Sequence, residues 1–359
     1  MKQGIPQGRL ERALRALART TRTAQLGLAD LEARLYRREL ANTPVGAPVL
    51  VAGLPRGGTT MLLRVLAGCP EFAAHHGRDF PFVLCPLLWQ AWTRPFQRPR
   101  APRERVHADG ILVTPDSPEA LEEVLWTTFW PDHYRATSIA PWPSCDDPEF
   151  AAFYAAHRRK IVLLRARSDR RAHRYLAKNN AHLARLPALW SLLPDATVVV
   201  PFRAPTAHAA SLLRMHRHFT ALQARDPAAR RGMAELGHFE FGLDLRPLDF
   251  GGWLRGRSLA QAHELGFWLE YWCAAHQHVL ALADDPRLVL VDFDALAAHR
   301  DVTVLAKRLG IVEVAALQHA AATLQPPPEH RELATTAPTA AREPALALHR
   351  ELLRAANRP

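Results

Sequence analysis

One short stretch constrains the fold more than any other. Pro48-Val-Leu-Val-Ala-Gly53 is an apolar run closed by glycine, followed by Leu-Pro-Arg-Gly-Gly-Thr-Thr60 and then by Met61, Leu62, Leu63, Val65 and Leu66. The run predicts a strand buried on both faces, and residues 60–67 predict a helix. A strand, a glycine turn and a helix in immediate succession form the phosphate-binding βα unit, in which backbone N–H groups and the positive end of the helix face an anion. The adjacent Gly57 and Gly58 let the backbone come close, Thr59 and Thr60 add hydroxyl donors, and Arg56 adds a full charge. From Gly53 to Gly58 the spacing is that of the nucleotide-triphosphatase loop, but the lysine of that motif is replaced by Thr59. On its own the stretch is a phosphate cradle without that lysine, and a Gly-Gly turn with no ligand has the same local sequence.

Further apolar runs rich in β-branched residues lie at 196–202 and 287–293, with a shorter one at 174–177, and predict strands. Phe150, Phe153, Tyr154, His157, Ile161 and Leu164 recur at helical spacing and predict a helix over 148–165, with His157 at the core edge. Strand and helix alternate, so the expected class is α/β: a P-loop-like three-layer fold with a central parallel sheet flanked by helices, plus helical and loop insertions. The chain has 359 residues, of which 48% are apolar, enough for one large domain or two. The expected organisation is an amphipathic helical segment over 1–45, a main domain over 46–325 and an Ala/Arg/Pro-rich tail over 326–359. Residues 73–147, with Trp89, Trp92, Trp126 and Trp130, and residues 215–262 carry no clear pattern and are candidate substrate-binding insertions.

The N-terminal segment carries Leu10, Leu14, Leu17, Thr21, Ala24, Leu28, Leu31 and Leu35 in steps of four and three, surrounded by arginines. This stripe suits packing on its own domain, a homodimer contact or peripheral membrane contact. The net charge of +11 favours anionic partners such as nucleotides, polyanions or a membrane surface, and does not choose among them. Four scattered cysteines without a C-x-x-C pair, no signal-peptide pattern and no apolar run of membrane-spanning length lead to the expectation of a soluble, cytoplasmic protein.

Three motifs in the same order resemble the PAPS-dependent sulfotransferases of bacterial type, PAPS being 3′-phosphoadenosine 5′-phosphosulfate. The loop resembles that family's 5′-phosphosulfate-binding loop, so the resemblance implies that Arg56, Gly57, Gly58, Thr59 and Thr60 hold the 5′-phosphate and the bridging oxygen. It departs at Gly57, where serine is commoner. Val198-Val-Val-Pro-Phe-Arg203, with Ser211 eight residues on, resembles the strand and helix that bind the 3′-phosphate; Ala204 replaces the family's Asp. An arginine fork and a helical hydroxyl suit phosphate. Tyr175-Leu-Ala-Lys178-Asn-Asn-Ala-His182 resembles the segment between them, with Asn180 in place of the usual Pro. Lys178 is expected to stabilise charge on the leaving oxygen, and His182 to take the acceptor proton. The implied donor is PAPS, with no metal, and the acceptor a small molecule, carbohydrate or glycolipid; no nucleic acid is expected.

Rival readings carry their own residues. Asp79, Glu122 and Glu123 are carboxylate alternatives for the base. Asp292, ending the run at 287–293, imitates the magnesium ligand of a P-loop phosphotransferase, which is the competing enzyme class. Trp268, Tyr271 and Trp272 form an aromatic stripe suited to core packing or to stacking on a ligand. A non-catalytic polyanion-binding protein is the third reading.

Overall fold

In the computed structural model, residues 22–98, 100–107, 109–326 and 338–358 are described. The strands in chain order are β1 (Gly46–Val51), β2 (Phe72–Ala74), β3 (Arg103–Glu104), β4 (Leu112–Val113), β5 (Arg174–Lys178), β6 (Thr197–Phe202) and β7 (Leu288–Asp292). Five of them form one parallel sheet in the order β2-β5-β1-β6-β7, while β3 and β4 make a separate antiparallel pair. The fold is α/β with a central parallel sheet flanked by helices, as the alternation of runs predicts.

Strand periodicity explains the two cores. Leu50, Tyr175, Ala177, Val198, Val200, Phe202 and Leu288 belong to the larger one, whereas Val49, Val51, Leu176, Val199 and Val289 belong to the other. Neighbouring residues of a strand point to opposite faces, so an unbroken apolar strand supplies both. Helices Thr59–Ala67, Phe293–His299, Thr303–Leu309 and Val314–Ala321 cover the second core, and Pro148–Ala166, Leu186–Leu192, Pro205–Arg225 and Leu265–Leu280 cover the first. Helix Thr339–Ala356, within the segment expected to be a tail, packs on Leu265–Leu280 and adds Ala345, Leu348 and Leu352 to the larger core.

Three aromatic residues considered for binding, Trp126, Trp268 and Trp272, belong to the core. Trp126, Trp142, Trp268 and Trp272 are fully buried, and Arg185 lies over both Trp126 and Trp142, with its guanidinium carbon 4.2 and 4.6 Å from the ring centroids. Within the N-terminal segment, helix Arg22–Leu35 docks through Ala29 and Glu32. The Lys160 ammonium lies 2.9 Å from the Glu32 carboxylate, and the backbone N–H of Leu88 donates to Glu32 at 2.7 Å. Leu28, Leu31 and Leu35 of the stripe are exposed, so it is not this face that packs on the domain; positions 10–21 of the stripe lie outside the described residues. Among the described residues no helix is long and apolar enough to cross a membrane.

The sheet order also fixes where a ligand can lie. The chain leaves β1 toward β2 at one edge and leaves β6 toward β7 at the other, so the connections diverge between β1 and β6, and the crevice at the C-terminal strand ends opens there. Gly53–Thr60, Lys178 and Arg203 all stand at or just past these ends.

Candidate active site

The loop after β1 is held by close packing. Gly58 has φ +96°, and a Cβ there would lie 2.3 Å from the Phe293 ring. At Gly57 a Cβ would lie 3.1 Å from the His208 ring and 3.0 Å from the Leu54 carbonyl. His208 Nε2–H donates to the Pro55 carbonyl at 2.9 Å, so the imidazole braces the loop and leaves little room for the serine commoner at position 57. Arg56 has φ +67°, a conformation disfavoured for a residue with a side chain, and this turns its guanidinium toward the Pro205–Arg225 helix. Its Nε donates to Ser211 Oγ at 3.3 Å, and its carbonyl accepts from Arg203 at 3.2 Å. Arg56, Arg203 and Ser211, far apart in sequence, therefore meet.

Every cation of this cluster faces a carboxylate. Arg203 Nε donates to Asp294 Oδ1 at 2.9 Å, while the other oxygen accepts the Ala204 N–H at 2.9 Å. Asp294 thus secures the turn that the family's own Asp would occupy at position 204. Arg56 pairs with Asp109 at 2.6 Å, and Arg105 grips the same carboxylate through Nε at 2.9 Å and a terminal nitrogen at 2.5 Å. Burial opposes the Asp109 charge, but the two arginines outweigh it and hold the carboxyl well below its ordinary range. Arg105 also donates to Thr60 Oγ1 at 3.4 Å.

Lys178, the last residue of β5, lines a cavity with Leu54, Ile139, His238, Phe239 and Glu240. Burial lowers its pKa to about 8, with Glu240 offsetting part of the fall. Asn180, where the family usually has proline, accepts from Thr59 Oγ1 at 3.4 Å and donates to Glu240 Oε1 at 2.7 Å. This side chain ties the phosphate loop to a carboxylate in the cavity. For Glu240 burial favours protonation, but His238, Lys178 and Asn180 together lower its pKa. His238 Nδ1 lies 3.8 Å from Glu240 Oε2.

His182 takes a different course. The 3₁₀ turn Asn180–Arg185 carries it into the core, where it is fully buried and its Nε2–H donates to Glu122 Oε2 at 2.9 Å. Nδ1 has no hydrogen-bond partner among the described residues, and the ring packs edge-on against Trp126, 5.7 Å between centroids. Burial pushes its pKa down, and His182 is not among the residues lining the cavity. The lone pair a base needs is therefore enclosed by protein, which argues against the role expected from sequence.

Of the carboxylate alternatives, Asp79 and Glu122 are committed in the core, whereas Glu123 lines the cavity but is held by three donors. Asp79 is fully buried, pairs with Arg165 at 2.5 Å, and accepts from Gln90 and from the His76 backbone at 2.9 and 2.8 Å. Glu122 accepts from Tyr154 as well as His182, and Glu123 from Tyr134, Arg185 and Asn179. Asp292 caps helix Phe293–His299 through the N–H groups of Asp294 and Ala295, which accounts for its place at the strand end without a metal. Of the aromatic stripe only Tyr271 reaches the cavity.

Sequence reasoning missed Glu240, His238, Arg105 and Asp109. The available clue to the first was its setting, since Phe239-Glu-Phe241 places a carboxylate between two aromatic residues that are both buried.

Among curated proteins none matches this chain. Of solved structures, the sulfotransferase STF1 from Mycobacterium tuberculosis H37Rv is 17% identical with a TM-score of 0.48, over 89% of this chain and 81% of that one. STF9 from Mycobacterium avium is 14% identical with a TM-score of 0.46, over 83% and 73%. The sulfotransferase domain of the Synechococcus PCC 7002 olefin synthase is 14% identical with a TM-score of 0.40, over 88% and 97%. The model of the sulfotransferase family matches residues 48–240, more than half of the chain, and the chain belongs to that family.

Proposed function

We propose that the chain transfers the sulfuryl group of PAPS to a hydroxyl or amine of a small acceptor by in-line displacement, with Glu240 rather than His182 as the base. The observation that carries this reading is the Thr59–Asn180–Glu240 connection. It holds a carboxylate beside Lys178 at the mouth of the phosphate loop.

The residues divide the work by chemistry. Backbone N–H groups of Gly58 to Thr60 and the Arg56 guanidinium face the 5′-phosphosulfate, the Gly57 N–H being held by the Leu54 carbonyl at 3.1 Å, while Arg203 and Ser211 take the 3′-phosphate. Glu240 accepts the proton of the acceptor nucleophile as its oxygen or nitrogen bonds to sulfur. The bond from sulfur to the bridging oxygen breaks, its electron pair stays on that oxygen, and the Lys178 ammonium stabilises the charge. The products are the sulfated acceptor and 3′,5′-diphosphoadenosine. Ile139, Phe239, Leu248 and Tyr271 in the cavity wall suit an acceptor whose nucleophile is carried on an apolar body.

The test combines a ligand comparison with one variant. 3′,5′-Diphosphoadenosine should raise the melting temperature more than ADP at equal concentration. Glu240→Gln should keep that stabilisation and lose turnover by about 10²–10⁴-fold. Stronger binding of magnesium-ADP would select a phosphotransferase, and an unchanged rate in Glu240→Gln would remove the base.

A further inference from the structure

The β3–β4 pair lies over the phosphate loop, joined to it by the arginines described above. The Asp109 side chain is only 2% exposed although the residue stands on a connection between two strands of two residues each. Its carboxylate accepts from Arg56 and Arg105, within a cluster that also contains the hydroxyls of Ser211 and Thr60. Two guanidinium groups converging on one small anion, each also held by a hydroxyl of the donor-side elements, form an environment suited to a phosphate or phosphosulfate oxygen.

We propose that Asp109 stands in the place of the donor's anionic group in the ligand-free protein, and that Arg105 is a donor-binding residue released to the ligand when Asp109 is displaced. The proposal rests on the donor reading above and adds to it a residue and a competition. Without ligand, two partly buried arginines side by side would repel each other and lack a counter-ion, so the internal carboxylate keeps the site stable. A donor carrying more negative charge and more acceptor oxygens can replace it. The exchange is inexpensive in structure, because β3 and β4 share only the Arg103–Val113 and Glu104–Leu112 pairings. Attachments away from Asp109, among them Arg64 to the Leu112 carbonyl at 3.0 Å, His218 to the Val106 carbonyl at 3.2 Å and the His107 ring edge-on to Phe219 at 5.1 Å, can tether the segment while Asp109 swings away.

Calorimetric titration of the full chain with 3′,5′-diphosphoadenosine and with inorganic pyrophosphate tests this. Asp109→Asn should bind both more tightly than the wild type, by about tenfold or more, because the closed state no longer competes. Its ligand-free melting temperature should be lower, and the ligand-induced rise larger. Arg105→Met should bind both more weakly, by about tenfold or more. If Asp109→Asn does not fold, Asp109→Ser, which keeps a short acceptor, makes the same comparison. Equal or weaker binding in the Asp109 variant that folds, or wild-type affinity in Arg105→Met, overturns the proposal. The pyrophosphate arm separates this from the donor reading: failure of 3′,5′-diphosphoadenosine to outcompete ADP refutes PAPS as donor, while the pyrophosphate shift still reports on Asp109.

Discussion

Replacing Lys178 by methionine should make the protein more stable and almost inactive. Lys178 is buried, and burial carries its pKa from 10.5 down to about 8 against the pull of Glu240. At about 1.4 kcal/mol for each tenfold change in proton affinity, holding the charged form costs the folded state about 3 kcal/mol near neutral pH. The unfolded lysine keeps its proton up to its ordinary value of 10.5, whereas the folded one releases it above about 8. The penalty is therefore complete below pH 8 and fades as the pH rises toward 10.5. Methionine has a similar length and no charge, so it removes the penalty without a large cavity. Part of the gain is returned because Glu240 loses its neighbouring cation, leaving a net stabilisation of about 1–3 kcal/mol near pH 7. Turnover should fall by about 10²–10³-fold, since the leaving oxygen would develop its charge without a cation. Denaturant midpoints near pH 7 and pH 10.5, with release of 3′,5′-diphosphoadenosine from PAPS as the activity assay, measure both effects. The reasoning is refuted by a variant that is less stable near pH 7, by a stability difference that does not shrink at high pH, or by a rate close to wild type.

Other substitutions probe the remaining parts. Arg203→Ala should abolish the preference for 3′,5′-diphosphoadenosine over ADP while leaving ADP binding within about threefold; calorimetry reads both affinities. Gly58→Ala places a methyl group 2.3 Å from the Phe293 ring at φ +96° and should destabilise the fold by roughly 3 kcal/mol or more, seen as a lowered denaturant midpoint. His182→Ala deprives the buried Glu122 of a donor and opens space beside Trp126, so it should cost about 2–4 kcal/mol of stability. Assayed well below its melting temperature, it should keep a rate within about tenfold of wild type; a greater loss would return His182 to the chemistry.

What could be read from the chain follows local physics. The run ending at Gly53, the adjacent glycines and the helix from Thr59 each depend on residues a few positions apart, so strand, turn and helix were all visible. Arg203 and Ser211 were singled out by the resemblance, and the strand end and helix that carry them bring both to Arg56. Burial was less legible. Leu28, Leu31 and Leu35 form an apolar stripe by spacing, yet the helix docks through Ala29 and an ion pair of Glu32 with Lys160, a contact between residues more than a hundred positions apart.

The proposed base shows most clearly why nearness in sequence need not mean nearness in space. His182 follows Lys178 by four residues, and a regular strand or helix would carry the two in a fixed relation. Instead Asn179 caps the 3₁₀ turn by accepting the Ala181 N–H at 3.0 Å, and the turn sends alternate side chains in different directions. Asn180 reaches Thr59 and Glu240, while His182 enters the core to meet Glu122. The departure from the family at Asn180 was the informative one, since proline could neither accept from Thr59 nor donate to a carboxylate. A side chain with both capacities beside the phosphate loop implies a polar partner beyond it. That partner, Glu240, comes from the segment with no periodicity, because its position is set by Phe239 and Phe241 anchoring a loop in the core rather than by a repeating element. A carboxylate so placed can be changed without disturbing the donor loop, and nucleotide binding and proton removal should therefore separate on mutation.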